Sequence, residues 1–332
     1  YVFLSLFFLP FVFFKKLSLL SAIGLFIVLE IVREYIFTGF PWLSIGFSQT
    51  NNPLVNNYYQ MIGSHGVSLL VLLISALLYI SFRDKNKRKL SLFIITLIIS
   101  TNFLIDLFKQ ESTIDDNYLN ISLLQGNVNQ AIKWDTNTLE EQINVYIELL
   151  NQAQGEIIIF PETAIPLKYK SYPNDFNEAV EKKINENKSV IIGSIYEDNG
   201  HYLNGAIIKE KNKDQFYFKE HLVPFGEYFP LVEYFGFFYE KILDIPFSHL
   251  ISPKIKNNTI HIKDHNIGLN ICYEDIFKTS YDKFNEADLF INLTNDAWYD
   301  RSPAAHQHLQ IAQASNNIRS NFGYMSHATD AE

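Results

Sequence analysis

The chain is poor in cysteine and in positive charge, and each shortage excludes a class of protein. Cys272 is the only cysteine among 332 residues, so no disulfide can form within the chain. Lysine and arginine together number 27 against 36 aspartates and glutamates, which gives a net charge of −9. A nucleic-acid-binding protein calls for a basic face, and this balance offers none. We therefore expect no nucleic-acid partner.

Sequence patterns for metal and phosphate sites are missing as well. The nine histidines, including His306 and His308, lack carboxylate or cysteine partners at the spacing of metal ligands. No glycine-rich loop of the phosphate-binding type is visible. We expect neither a metal nor an organic cofactor.

Charge is also scarce before residue 110, where apolar runs cover residues 1–14, 17–37, 63–82 and 90–108. The last three approach the ~20 residues that cross a bilayer. The first run is shorter and begins with Tyr1, not Met, so we expect the N-terminal part of this region to be missing. Arg33 and Glu34 interrupt the second run and either pair or lie at the interface. The alternative is a set of buried core helices in a large soluble domain.

Basic residues are distributed unevenly between the loops that join these runs. Lysines 15 and 16 follow the first run, and five basic residues lie within 83–89, whereas residues 38–62 contain no lysine or arginine. The positive-inside rule then puts the basic loops in the cytoplasm and the 38–62 loop outside. We expect residues 1–110 to be a multi-pass transmembrane region of a bacterial inner membrane, and residues 111–332 to lie on the periplasmic side.

The second half alternates short apolar strands with polar helical segments. Strands are predicted at "LNISLLQ", "EIIIF", "SVIIGSI", "LNGAIIK", "QFYFK", "NIGLNI" and "DLFINLT". Helices are predicted over residues 136–153, 174–188, 275–284 and 304–320. Continuous apolar strands are typical of a sheet covered on both faces. The alternation therefore predicts a layered α/β domain.

Three of these strands end in residues that carry chemistry. Cys272 ends "NIGLNI" on the face opposite its aliphatic row, Glu162 follows "EIIIF" and a proline, and Lys219 ends "QFYFK". Active sites of open α/β sheets collect at such ends. Taken singly, the cysteine could be a small buried apolar residue, the glutamate a helix cap and the lysine a solvated edge residue. Their combination favours one site.

The three side chains have complementary chemistry. Glu162 can accept the thiol proton as a general base, and Cys272 can attack a carbonyl and hold the acyl group as a thioester. Lys219 can stabilise the oxyanion together with the backbone N–H that follows Cys272. We also expect a helix starting near Cys272, whose N-terminus would favour the thiolate.

The motifs around these residues resemble apolipoprotein N-acyltransferases, membrane-embedded members of the nitrilase superfamily of carbon–nitrogen hydrolases. The resemblance is carried by "GFPWLSIGFSQ", "GSHGVSLLVLLISALL", "LLQGNVNQAIKWD", "FPETAIP", "KEHLVPFGEYFP", "ICYED", "LTNDAWY" and "HQHLQIAQ". It implies a nitrilase-like α-β-β-α sandwich preceded by a transmembrane helix bundle. The chain departs from the family at "WYDRS", where "WFG-x-S" is usual, and it stops at "HATDAE" before the family's C-terminal segment ends.

The resemblance also assigns residues. It implies Glu162 as the base, Lys219 as the oxyanion stabiliser and Cys272 as the nucleophile. Further matches to functional positions of the family are Glu227, Tyr273, Glu274, Trp134 and Asn204. Trp134 would lie on an arm near the lipid entrance. For Trp134 and Tyr273 the alternative is an ordinary core aromatic residue.

The reaction that the resemblance implies joins two lipid-anchored substrates. A phospholipid, typically phosphatidylethanolamine, would acylate the cysteine. The α-amine of the N-terminal diacylglyceryl-cysteine of an apolipoprotein would then take the acyl chain. The apolar segment "YFPLVEYFGFFYEKI", from Tyr228, would be either an arm that dips into the bilayer or a buried helix. Two other functions stay open: a membrane-anchored amidase that uses water, and an inactive membrane scaffold.

Overall fold

A computed structural model describes residues 9–13, 17–36, 39–108, 119–229, 250–254, 259–284, 286–299, 302–318 and 325–328. The chain divides into two compact units. We call residues 1–114 with 307–321 the helical unit, and residues 115–306 with 322–332 the sheet unit. Most of the "YFPLVEYFGFFYEKI" segment lies outside the described residues.

The helical unit begins with four α-helices, whose apolar runs set their lengths. They are α1 (Leu9–Phe13), α2 (Leu19–Tyr35), α3 (Tyr59–Arg83) and α4 (Lys85–Leu107). Among the described residues, two stretches are long and apolar enough to cross a membrane, Asn56–Arg83 and Lys85–Leu107. At 1.5 Å per residue, α4 is about 35 Å long, and the part of α3 that follows the non-helical Gly63 is about 30 Å long, close to the thickness of a bilayer core.

A single residue separates α3 from α4. Asp84 leaves the helical conformation, and its side chain accepts a hydrogen bond from the backbone N–H of Asn86 at 2.9 Å, which starts α4. Aspartate is a preferred N-cap because it satisfies one of the free N–H groups of the first turn. The basic loop predicted at residues 83–89 is therefore a tight turn, with its cations on the ends of the two helices.

Buried polar side chains in this unit hold the segment that joins α2 to α3. Arg33 Nη2 donates to Ser44 Oγ at 2.9 Å, and the backbone N–H of Ile45 donates to Glu30 Oε1 at 2.9 Å. Glu34 Oε2 lies 3.4 Å from His65 Nε2. Polar groups in an apolar helix are costly unless they find partners, and these partners fix the path of residues 41–45.

The described residues of the sheet unit form two sheets. Seven of their strands coincide with the seven predicted apolar segments, and two further strands, Ile260–Ile262 and Met325–Ala328, were not predicted. The first sheet has the order β1 (Ile121–Leu123), β2 (Ile157–Ile159), β3 (Ser189–Asp198), β4 (His201–Glu210) and β5 (Lys213–Phe218). The second has the order β6 (Ile260–Ile262), β7 (His265–Ile271), β8 (Leu289–Leu293) and β9 (Met325–Ala328). Strands β1 to β3 are mutually parallel, as are β7 to β9.

Helices α5 (Leu139–Gln152) and α6 (Asn174–Asn185) cover one face of the first sheet. Their apolar residues form a core with Ile158 and Phe160, while Ile157 and Ile159 are equally buried on the opposite face. Alternate residues of a strand point to opposite faces, so the continuous apolar run "EIIIF" reflects a sheet that is covered on both faces. The chain continues through α7 (Lys278–Asp282) and α8 (Ala304–Ile318).

Gly193 in β3 allows the segment after β2 to pass close to the sheet. A Cβ at this position would lie 2.3 Å from the carbonyl oxygen of Pro161 and 2.7 Å from the Cα of Glu162. Both obstacles are backbone atoms, which cannot rotate away. The absence of a side chain at residue 193 therefore determines where Glu162 can lie.

We predict that Gly193→Ala lowers the free energy of unfolding by about 1–3 kcal/mol, the usual range for an overpacked interior. Thermal unfolding of the detergent-solubilised protein measures this loss. Gly226→Ala is the matched control, because the Cβ would meet Val223 Cγ1 at an ordinary 3.5 Å. An unchanged midpoint in Gly193→Ala would show that the Pro161–Glu162 segment can move aside.

Candidate active site

The three predicted residues all follow strand ends in the sheet unit. Lys219 comes directly after β5 and Cys272 directly after β7, while Glu162 lies three residues after β2. The backbone N–H of Glu162 donates to the carbonyl of Thr294, which follows β8, at 3.3 Å. The chain after β2 in the first sheet is thereby tied to the chain after β8 in the second, next to these three residues.

Lys219 is the centre of a buried charged cluster. Only 1% of its side chain is exposed, and its Nζ lies 3.2 Å from Glu162 Oε1 and 2.9 Å from Glu227 Oε1. The side-chain amide of Asn204 donates to the same two oxygens, at 2.6 and 2.9 Å. The structure thus brings four of the predicted site residues together: Lys219 with Glu162, Glu227 and Asn204.

Glu227 is held on both of its oxygens. Oε1 binds Lys219 and Asn204, and Oε2 accepts the backbone N–H of Val223 at 2.7 Å. In Glu162, by contrast, a single oxygen, Oε1, accepts the hydrogen bonds from both Asn204 and Lys219. The two carboxylates are therefore not equivalent, and Glu162 is the better placed of the two to exchange a proton through its other oxygen.

Cys272 lies at a sharp bend of the backbone. Its φ angle is +51°, a conformation that costs a non-glycine residue roughly 1–2 kcal/mol. The bend ends β7 and starts a single 3₁₀ turn, Cys272–Ile276. Asn292 braces it by donating through Nδ2 to the carbonyl of Cys272 at 3.2 Å and to Asp275 Oδ2 at 2.9 Å.

Glu274 connects the residue before Cys272 to the residues after Lys219 through backbone hydrogen bonds. Its Oε2 accepts the N–H of Ile271 at 2.9 Å, and its Oε1 accepts the N–H of Glu220 at 2.7 Å and that of His221 at 3.2 Å. Ile271 immediately precedes Cys272, and Glu220 immediately follows Lys219. This buried carboxylate therefore fixes the distance between two loops that belong to different sheets.

The pKa values of Lys219 and Cys272 both lie above their usual ranges, for different reasons. Burial alone would lower the pKa of Lys219, but the negative charges of Glu162 and Glu227 outweigh it and hold that pKa well above its usual range. Burial raises the pKa of the Cys272 thiol well above its usual value; the charge of Glu162 adds to this and that of Lys219 opposes it. The helix expected near Cys272 is only a single 3₁₀ turn, and burial together with the charge of Glu162 outweighs the charge of Lys219, which favours the thiolate.

Two predicted residues lie in different surroundings. Tyr273 is buried and packs edge-to-face on Phe277, with ring centroids 5.2 Å apart. Trp134 is 55% exposed in a turn before α5, and within the part of the chain that the structure describes no hydrogen bond joins it to the cluster. Its exposed indole contradicts the alternative of an ordinary core aromatic residue for Trp134.

The segment after β8 contributes site residues that the sequence analysis did not single out. The Thr294 side chain hydrogen-bonds the thiol of Cys272 and donates to Asp296 Oδ1 at 3.0 Å, and the charge of Asp296 adds to the raised pKa of Cys272. Burial raises the pKa of Tyr299, and the charges of Cys272 and Asp296 raise it further. The motif "LTNDAWY" was the available signal, since it ends a buried strand with a run of polar residues.

The carbon–nitrogen hydrolase family model matches residues 120–318, which is more than half of the chain. The chain belongs to the carbon–nitrogen hydrolase family, and the predicted nitrilase-like fold is confirmed. Among solved structures, a carbon–nitrogen hydrolase superfamily protein from Xanthomonas campestris is similar to this chain. The match covers 64% of this chain and 76% of that protein, with 16% sequence identity and a TM-score of 0.46.

A second family model, the apolipoprotein N-acyltransferase N-terminal domain, matches residues 1–77. The apolipoprotein N-acyltransferase of Nitrosomonas europaea is 33% identical over 298 residues, which cover 87% of this chain and 59% of that protein. The apolipoprotein N-acyltransferase of Methylococcus capsulatus is 32% identical over 294 residues, which cover 86% of this chain and 57% of that protein. The predicted resemblance is confirmed, and the chain spans somewhat less than two thirds of the length of these relatives.

We predict that alkylation of Cys272 by iodoacetamide follows an apparent pKa above the ordinary thiol value of about 8.5. Glu162→Gln should lower this apparent pKa because it removes a negative charge, and Lys219→Met should raise it because it removes the opposing cation. Mass spectrometry of the cysteine peptide across a pH series measures the rate. An apparent pKa below about 8.5 in the unaltered protein would contradict the raised thiol pKa described above.

Proposed function

We propose that the protein transfers a fatty acyl chain from a phospholipid, through a thioester on Cys272, to the α-amino group of the N-terminal diacylglyceryl-cysteine of apolipoproteins. The observation that carries this proposal is the buried ammonium of Lys219, shared by Glu162 and Glu227 and charge-coupled to a cysteine at a strained strand end. This arrangement suits acyl transfer by covalent catalysis.

In the first step the Cys272 sulfur attacks the ester carbonyl of the phospholipid. Glu162 takes the thiol proton as the S–C bond forms, and the carbonyl oxygen becomes an oxyanion beside Lys219. The ester C–O bond then breaks, and the proton passes from Glu162 to the departing glycerol oxygen, which leaves a lysophospholipid. A second donor to the oxyanion is the backbone N–H of Tyr273.

In the second step the free amine of the lipoprotein attacks the thioester. Glu162 accepts one amine proton as the N–C bond forms, and Lys219 again faces the oxyanion. The C–S bond breaks, the thiolate leaves, and Glu162 returns the proton to it. The products are an amide and the resting thiol, so no external acid, base or oxidant is consumed.

The charge of Lys219 is constant through this cycle. Its pKa is held well above neutrality by Glu162 and Glu227, so it carries a positive charge before each oxyanion forms. A preorganised charge needs no rearrangement when the reaction occurs, which is the main advantage of an oxyanion site. Glu227, whose oxygens are both engaged, orients the ammonium, and the amide of Asn204 bridges the two carboxylates.

The choice of substrates rests on the relatives and on the apolar helices. Relatives that share about a third of their residues with this chain are named apolipoprotein N-acyltransferases, and their reaction joins two substrates anchored in a bilayer. Helices α3 and α4 have the length and composition to lie in the same bilayer. Phosphatidylethanolamine is the donor that we propose.

The location that we propose follows the distribution of charge. Residues 1–110 form a multi-pass region of the bacterial inner membrane, and residues 111–332 form the catalytic domain on the periplasmic side. The cations of the turn at Asp84 support a cytoplasmic position for that turn. Exposed apolar side chains such as Trp134 and Phe225 support contact between the catalytic domain and lipid.

The reaction is tested with the full-length protein in detergent, incubated with phosphatidylethanolamine and no acceptor. We predict an adduct of fatty-acyl mass on Cys272 by intact-mass spectrometry, discharged by a diacylglyceryl-cysteine peptide and hardly by water. Cys272→Ala should show no adduct, and its transfer rate should fall by about 10³-fold or more, as expected for loss of a nucleophile.

A matched control is Asn199→Ala, a substitution in the exposed turn between β3 and β4. It should form the adduct like the unaltered protein. Turnover of small amides without any adduct from phospholipid would overturn the proposal in favour of a membrane-anchored amidase. A protein that neither forms an adduct nor turns over amides would be an inactive scaffold.

The orientation is tested by labelling one introduced cysteine in a Cys272→Ala background. We predict that Asn86→Cys, in the turn at Asp84, reacts with a membrane-impermeant maleimide only after cells are lysed. Asn199→Cys, on the catalytic domain, should react in cells whose outer membrane alone is permeabilised. The reverse pattern would contradict the periplasmic location.

A further inference from the structure

A buried hydrogen-bond chain leads from Glu274 away from the reacting groups. Glu274 Oε2 accepts the hydroxyl of Tyr217 at 2.8 Å, and the Tyr217 oxygen accepts Lys283 Nζ at 3.2 Å. Tyr217 is fully buried two residues before Lys219, and Lys283 follows α7. Neither residue belongs to the cluster around Lys219, and the proposed acyl transfer uses neither.

The chemistry of lysine fixes the direction of this chain. An ammonium can only donate hydrogen bonds, so Lys283 must donate to the Tyr217 oxygen. The phenolic proton is then directed at Glu274. Hydrogen bonds arranged in series polarise one another, which strengthens the bond that Glu274 receives.

Lys283 is itself held from several sides. Its Nζ lies 3.2 Å from Glu220 Oε2, and it sits over the rings of Tyr217 and Phe284, 5.2 and 4.9 Å from their centroids. It therefore contacts both Tyr217, whose hydroxyl donates to Glu274, and Glu220, whose backbone N–H donates to Glu274. A cation between two aromatic rings and a carboxylate is well fixed.

We propose that Lys283 and Tyr217 are positioning residues that act through Glu274 and set the spacing between the Lys219 ammonium and the Cys272 thiol. The expected effect on kcat rests on the proposed acyl transfer, whereas the effect on the spacing of Lys219 and Cys272 does not depend on which substrate the protein uses. Glu274 holds the residue after Lys219 and the residue before Cys272. A shift of its carboxylate would move both reactive groups.

The environment of Glu274 explains why such support is needed. Its side chain is completely buried, and burial raises the pKa of this carboxyl. The charge of Lys283 is the strongest influence that lowers the pKa, followed by the hydrogen bonds from Ile271 and Tyr217. A buried carboxylate that loses its cation is expected to reorient or take up a proton. In both cases it would hold its backbone donors less firmly.

The test compares Tyr217→Phe and Lys283→Met with the unaltered full-length protein in detergent. We expect kcat for transfer from phosphatidylethanolamine to a diacylglyceryl-cysteine peptide to fall about tenfold or more, because small displacements of reacting groups are costly. KM should stay within about twofold, since neither side chain contacts substrate. The apparent pKa of Cys272 alkylation should rise by about half a unit or more, because Lys219 moves away from the thiol.

Two variants separate positioning from simple loss of an ion pair. Lys283→Arg keeps a cation that can donate to the Tyr217 oxygen and pair with Glu220, and it should retain kcat within about threefold. Lys209→Met removes a lysine that pairs with Glu181 at 2.9 Å on the first sheet and has no link to Glu274. It should leave kcat and the alkylation profile unchanged. Thermal unfolding of each variant checks that the fold is retained.

The outcomes distinguish this proposal from the proposed function. If the unaltered protein transfers acyl chains and both test variants match it in kcat and in alkylation, Lys283 and Tyr217 have no positioning role. A rise in KM at constant kcat would also overturn it, because it would indicate a substrate contact. If the unaltered protein transfers no acyl chain but the alkylation shift is present, the positioning role holds and the proposed reaction fails.

Discussion

The site depends on one buried cation that two carboxylates share. Lys219 could not stay charged with 1% of its side chain exposed unless Glu162 and Glu227 compensated the loss of hydration. Those carboxylates in turn could not approach each other without the lysine and the amide of Asn204 between them. Each member of the cluster is therefore tolerable only because the others are present, and removal of one would leave uncompensated charge in the interior.

This mutual dependence places demands on the rest of the sheet unit. Lys219 and Cys272 follow strands of different sheets, and no covalent feature fixes their separation. Glu274 supplies that constraint with hydrogen bonds to both loops, and the backbone bond from Glu162 to Thr294 adds another. Gly193 is part of the same arrangement, since a side chain there would displace the Glu162 segment. Catalytic geometry is thus a property of the contacts between the sheets.

The sequence predicted the strands and the positions of Glu162, Lys219 and Cys272 after strand ends because those signals are local. An apolar run such as "EIIIF" can be recognised by itself, and so can a polar residue at its end. The hydrogen-bond chain through Tyr217 and Lys283 could not be predicted, because these residues are 66 positions apart and neither stands out locally. The protonated state of Cys272 was also missed, since it reflects burial and the charge of a glutamate 110 residues earlier, which periodicity does not encode.

The left-handed backbone at Cys272 has a consequence for how such proteins can change over time. Among the standard amino acids, glycine alone adopts this conformation without a penalty, so the backbone conformation at Cys272, taken by itself, favours glycine. A glycine there would relieve the strained backbone but would also remove a buried side chain. Under the proposed acyl transfer, this position stays cysteine for as long as the thiol is needed, although its backbone conformation favours glycine.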